Sequence, residues 1–97
     1  MLNESSNTPD NYSLSQNFPN PFNSSTIIRY KVIYSSDVKI KLFNIEGKEL
    51  YVLVNEKQSR GSYEILFNST DISSGIYFYS LYLDNNLVDT KKLIVNK

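Results

Sequence analysis

Apolar and polar residues alternate along this chain in short runs, each closed off by turn-forming residues. Thr26 to Val32 is the clearest run, with Ile28, Tyr30 and Val32 on one side and Arg29 and Lys31 on the other. Val38 to Phe43 repeats it, setting Val38, Ile40 and Leu42 against Lys39 and Lys41. A period of two in β-branched and aromatic residues predicts half-buried strands. Glu49 to Val54 is a more continuously apolar strand, followed by a polar loop from Asn55 to Arg60. After Gly61, the residues Tyr63, Ile65 and Phe67 share a face. The longest run, Ile76 to Leu83, aligns Tyr77, Tyr79, Leu81 and Leu83, and Val88 to Val95 returns beside it. Between these two, Asp84-Asn85-Asn86-Leu87 suits a two-residue hairpin centred on Asn85 and Asn86, because Asn tolerates left-handed backbone at both central positions. No segment carries a helical period.

The remaining punctuation agrees. Ser35-Ser36-Asp37 reads as a turn, and so does Asn44 to Lys48, where Gly47 can take positive φ without steric cost. Ser69 to Gly75 reads as a loop that crosses between strands. With a short first strand at Tyr12 to Leu14, about seven strands separated by turn signals predict an all-β antiparallel β-sandwich. A small closed barrel is the alternative architecture. The predicted core is Ile28, Tyr30, Val32, Ile40, Leu42, Tyr63, Ile65, Phe67, Tyr77, Tyr79 and Leu81.

The chain before the strands divides in two. Residues 1–11 hold one large apolar side chain beyond the initial Met and otherwise Asn, Ser, Glu, Thr, Pro and Asp, too little to offset the entropy of ordering, so they read as a linker. Residues 12–97 form the domain. Its entry is Gln16-Asn17-Phe18-Pro19-Asn20-Pro21-Phe22-Asn23. Each Pro fixes φ, lacks an N–H and biases its predecessor toward extended backbone, so this stretch is a stiff corner rather than a helix or a central strand. A polar leader before the domain and a last strand that runs almost to Lys97 suggest a module appended to something larger.

Composition narrows the chemistry. Ninety-seven residues make one domain with one core. Ten acidic and ten basic residues cancel, which gives no global attraction to nucleic acid or to an anionic membrane. The chain has no Cys and no His, so disulfides, zinc sites of the usual type and Ser-His or Cys-His catalysis are excluded. The first residues lack the basic and apolar regions of a signal peptide, so if the domain works outside the cell its export signal lies elsewhere in a longer parent. Eight Tyr and five Phe could line a platform for sugars, but most sit within strand patterns, where packing accounts for them.

Other constellations have simple explanations. Arg29, Lys31, Lys39 and Lys41 would form one outward basic patch if their strands paired as a hairpin. With no net charge and no aromatics between them, a solvated outer face that discourages edge-to-edge aggregation is the better reading. Asp84-Asn85-Asn86 with Asp89 offers too few oxygens for calcium, and turn chemistry explains it. Glu46, Glu49, Glu64 and Asp71 are the carboxylates available for glycoside hydrolysis, and they sit beside turns or on outward faces with nothing to bury them. Asn-x-Ser/Thr sequons at Asn3, Asn11, Asn23 and Asn68 follow from an Asn- and Ser-rich composition. No catalytic residue, metal site or cofactor is expected.

Six ordered blocks then make a pattern. Gln16 to Asn23 is followed by Thr26-Ile27-Ile28-Arg29-Tyr30 and by Leu42-Phe43-Asn44-Ile45-Glu46-Gly47-Lys48-Glu49-Leu50. Gly61-Ser62-Tyr63, Ser73-Ser74-Gly75-Ile76-Tyr77-Phe78-Tyr79 and the terminal Lys91-Lys92-Leu93-Ile94-Val95 complete it. From about residue 12 onward the chain closely resembles the type A C-terminal sorting domain of the type IX, or Por, secretion system of Bacteroidetes. The resemblance implies an immunoglobulin-like sandwich at the end of an exported cargo protein, which it directs across the outer membrane to the cell surface. It implies as partners the outer-membrane secretion machinery and a sortase-like surface peptidase that removes the domain, with a covalently attached N-terminal cargo and passage through the periplasm. The isolated domain is expected to be a monomer that binds no nucleic acid. Carried over by position, the family's signature falls on Pro19, Asn20, Pro21, Gly47, Lys48, Gly61, Gly75, Tyr77, Lys91, Lys92, Leu93, Ile94 and Val95. Ser24 stands where the family often has a third proline, and Lys48 where Arg is common. The rival from another class is a non-catalytic spacer or accessory carbohydrate-binding module of the same fold. A chain ending just after its last strand favours the sorting signal.

Overall fold

The computed structural model describes residues 13–97, in which six strands follow one another with no helix. They are β1 (Ser25–Val32), β2 (Ser36–Asn44), β3 (Glu49–Gln58), β4 (Gly61–Asn68), β5 (Gly75–Leu83) and β6 (Asn86–Val95). All pairings are antiparallel, in a four-stranded sheet ordered β3-β2-β5-β6 and a two-stranded sheet of β1 and β4. The alternation along each strand explains the layering: Ile28, Tyr30 and Val32 of β1 face Ile40 and Leu42 of β2 and Tyr79 and Leu81 of β5 across one buried core. The result is an all-β, immunoglobulin-like sandwich with six named strands.

The expected seventh strand exists as isolated bridges. Leu14 lies opposite Tyr30 and Phe18 opposite Ile27, so this segment runs antiparallel along β1 as a broken third member of the small sheet. Four residues from Leu14 to Phe18 span three from Tyr30 to Ile27, so the register slips by one between the bridges, and Pro19 and Pro21, which lack an N–H, end the pairing beyond Phe18. The predicted linker at residues 1–11, and Tyr12 at the start of the expected strand, lie outside the described residues.

One condition set above is not met and three expectations need correction. First, the condition: β1 and β2 do not form a hairpin. They belong to different sheets, so Arg29 and Lys31 are separated from Lys39 and Lys41 and no single basic patch forms. Second, β3 continues through the polar residues Asn55 to Gln58, because Ser36 to Lys39 of β2 extend equally far and supply the ladder. Third, the last hairpin turns one residue earlier than expected. Asp84 and Asn85 take positive φ (51° and 68°), and Asn86 already pairs with Leu83. The Asp84 carboxylate accepts from the Asp37 amide at 2.8 Å and the Asn85 side-chain oxygen from Lys39 Nζ at 3.0 Å, which holds the turn in that register. Fourth, Tyr63 and Ile65 pack against the core only from its rim, half-buried on β4.

Candidate functional site: the corner and the last strand

The entry corner and the last strand meet. The corner from Gln16 to Asn23 leaves the small sheet and passes along the free edge of β6. Phe22 pairs with Val95 in parallel: the Phe22 amide donates to the Ile94 carbonyl at 3.1 Å, and the Asn96 amide donates to the Phe22 carbonyl at 2.8 Å. The corner's side chains extend this contact. Asn20 Oδ1 accepts from the Ile94 amide at 2.9 Å, and Gln16 Nε2 donates to the Lys92 carbonyl at 2.5 Å. Lys92, Ile94 and Asn96 therefore find partners on the side of β6 that has no neighbouring strand.

A buried polar cluster fixes the corner's shape. Asn17 and Thr26 are each 1% exposed. Asn17 Nδ2 donates to Thr26 Oγ1 at 3.0 Å and to the Pro19 carbonyl at 3.1 Å, and Thr26 Oγ1 donates to the same carbonyl at 2.7 Å. Gln16 Nε2 also reaches Asn17 Oδ1 at 2.7 Å, which couples this cluster to the β6 edge. Among the described residues no buried side-chain nitrogen or oxygen lacks a partner, as burial of polar groups requires. Both the Phe18–Pro19 and the Asn20–Pro21 peptide bonds are cis. Phe22 anchors the segment from within: it is buried, and its ring meets that of Phe67 edge-on at 6.1 Å.

The register shows which sequence-predicted residues gather and which do not. Pro19, Asn20 and Pro21 lie beside Ile94 and Val95, and Val95 pairs with Gly75. Asn44 pairs with Tyr77, so the turn carrying Gly47 and Lys48 projects from the same end of the sandwich. Gly47 takes φ +86°, and a Cβ there would meet nothing within 4 Å, so its requirement is the turn's backbone and not space. Asn44 organises that turn: its Oδ1 accepts from the amides of Glu46 and Lys48 at 2.9 and 3.0 Å. Tyr77 is buried and its hydroxyl donates to the Ser73 carbonyl at 2.7 Å. Leu93 is fully buried and supplies core, while Lys91 and Lys92 stand mid-strand opposite Tyr79 and Phe78. Lys91 is half-buried and pairs with Asp89 at 3.6 Å, and Lys92 is exposed. Gly61 is the outlier. It pairs with Val32 at the opposite end, where Ser13 also lies, against Lys31.

Gln16, Asn17 and Thr26 were not among the predicted site residues. One signal was available: Thr26 is in phase with Ile28, Tyr30 and Val32, so its hydroxyl had to be buried and had to find a partner. Burial raises the phenol pKa of Tyr79 above its ordinary value, and the hydroxyl donates to the Ser15 carbonyl at 2.6 Å. Among the described residues no group of three acidic side chains is gathered as a metal site would need.

An all-β sandwich whose entry segment is bound to its exit strand, and whose polar clusters hold backbone in place, defines a recognition or structural module. The family model of the secretion system C-terminal sorting domain matches residues 16–96. The chain belongs to this family, the sorting domains of the type IX secretion system of Bacteroidetes. No match was found among curated proteins or among solved structures. Membership makes the domain a C-terminal sorting signal that interacts with secretion machinery as part of a cargo protein, and implies export to the surface or the extracellular space. The family is not known for catalysis.

Proposed function

We propose that residues 12–97 are a non-catalytic address that carries a cargo, attached through residues 1–11, across the periplasm and the outer membrane to the cell surface. A sortase-like peptidase then removes the domain there. The surface that is read comprises Pro19, Asn20, Pro21, Gly47, Lys48 and Gly75 at one end of the sandwich, with the adjoining face of Lys91 to Val95. Gly61 and Tyr77 serve folding, as a strand start and a buried tyrosine.

The observation that supports this reading is the hydrogen-bonded union of the corner with β6 at the end remote from Ser13. Ser13, through which a cargo is joined, lies at the opposite end of the sandwich from the corner. A signal requires a folded surface and no chemistry, and a chain without His or Cys meets that requirement.

Processing is tested by fusing residues 1–97 to a secreted reporter in a bacterium that has the type IX machinery. Mass spectrometry of the surface-released reporter is expected to find its C-terminus upstream of Tyr12. Released reporter still carrying Gly75 to Val95 would identify a retained anchor domain and overturn removal.

A further inference from the structure

The two flanks of the sandwich differ. On one, residues 14–22 bridge the sheets, with Leu14 and Phe18 against β1 and Phe22 against β6. On the other, among the described residues, β3 is hydrogen-bonded only to β2, and β4 only to β1. Among the described residues the outer backbone groups of both strands have no strand partner; the row is regular along the eight residues of β4 and, in β3, regular from Val54 to Gln58 and interrupted by bulges at Leu53 and Leu50. A groove runs between the two edges. Three hollows of about 190, 270 and 360 Å³ make it up; the first shares Tyr51 and Ile72 with the second and Leu53 with the third.

The groove is apolar at its floor and acidic at its rim. Leu53, Val54, Ile65, Phe67 and Ile72 line it, while its charged lining residues are Glu56, Glu64 and Asp71, with no Lys or Arg among the described lining residues. Arg29 pairs with Glu64 at 3.2 Å from the outer face, and among the described residues Glu56 accepts only from the neutral Gln58 amide at 2.9 Å. The stretches Leu50 to Val54 and Ile65 to Phe67 contain no lysine or proline to guard the edges, and the bulges at Leu50 and Leu53 are the protection that β3 does carry. Tyr51 and Val52 remain 43% and 46% exposed.

We propose that this flank binds an extended peptide segment of a partner protein by strand addition along β3. Its alternate apolar side chains enter the groove, and Lys or Arg residues at its ends face Glu56 and Asp71. Main-chain hydrogen bonds to a free edge supply affinity in this mode, and pockets for every second side chain supply selectivity. The rim selects the sign of the peptide's charge. A lone strand suits the site because the two open edges flank the same narrow space, whereas a second sandwich would bring its own sheet.

The test uses the ¹⁵N-labelled chain and a ten-residue peptide with Val at alternate positions, Thr between them and Lys at both ends. Saturable NMR shifts are expected at the amides of Leu50 to Glu56, and replacing the peptide's Lys by Glu should weaken binding about fivefold at low salt. Methylating alternate peptide amides should abolish it. The double variant Glu56→Lys, Asp71→Lys changes only exposed side chains and should reverse the charge preference while the spectrum stays that of a folded domain. Equal affinity for both peptides would overturn the proposal. So would shifts confined to outer-face residues such as Phe18 and Leu66, or concentration-dependent pairing of β3 between two copies with no response to peptide.

Discussion

The side-chain oxygen of Asn20 accepts a hydrogen bond from the backbone amide of Ile94, 2.9 Å away and 74 residues further along the chain. Pro21 has no N–H, so the corner cannot run beside β6 as a regular strand. The Asn20 carboxamide satisfies the outward amide of Ile94, and the Phe22 amide satisfies its carbonyl. Asn20→Ala should therefore lower stability by about 1 kcal/mol in urea unfolding and speed exchange of the Ile94 amide, while Asn20→Asp, which keeps an acceptor, should retain protection. Unchanged Ile94 exchange in the Ala variant would mean that Phe22 and Gln16 hold the corner without Asn20.

Phe22 and Phe67 form the apolar half of the same attachment. Both are buried, and their rings meet at 70° with centroids 6.1 Å apart. Phe67→Ala should cost about 3–5 kcal/mol through lost burial and a cavity. Ile40→Ala, at a fully buried position in the centre of β2, should cost about 2–5 kcal/mol. In a double-mutant cycle, Phe22→Ala and Phe67→Ala should couple by about 0.5–1.5 kcal/mol. Additive losses would show that the two rings fill separate parts of the core.

Alkaline stability should depend on Tyr79. Burial raises its pKa, so the folded state keeps this proton at a pH where the unfolded chain has released it. The associated stability is complete below the unfolded phenol value of about 10 and declines as pH rises above it. Tyr30 is raised in the same direction, also by burial. Tyr79→Phe should lose about 1 kcal/mol at neutral pH with its bond to the Ser15 carbonyl, and its melting temperature should fall less steeply above pH ~10. An unchanged alkaline slope would assign the decline to Tyr30 and the remaining tyrosines.

Strands and core were legible because alternation is a local property. Ile28, Tyr30, Val32, Ile40 and Leu42 are all buried on the faces that their period indicates. What depended on distant partners was not legible. The corner could be read as rigid, but nothing near Asn20 indicates that its partner is Ile94. Close spacing of β1 and β2 leaves a hairpin open as a possibility, but the chain crosses from one sheet to the other between them, which divides Arg29 and Lys31 from Lys39 and Lys41. The hairpin register was missed for a similar reason: Asp84 is drawn into the turn by the amide of Asp37 on a neighbouring strand. For the site, the residues of the corner and of β6 stood out as separate blocks, and only the fold joins them into one surface.

The sharpest test of the sorting surface concerns Lys91 and Lys92. Deleting Lys91 to Lys97 would block export for an uninformative reason, since Leu93 and Val95 are core residues and the corner would lose its support. Changing both lysines to Gln avoids that. Lys91 makes a part-exposed pair with Asp89, and Lys92 holds Gln16 through its backbone carbonyl, which the substitution leaves intact. Stability should change by about 0.5 kcal/mol or less, as checked by thermal unfolding of the purified domain. Fused to a reporter in a host with type IX machinery, the folded double variant should accumulate in the periplasm while the parent domain reaches the surface. Normal export would make the two lysines solvated surface and move recognition to the end of the sandwich, where Pro19, Asn20, Pro21 and the Gly47 turn would be the next positions to change.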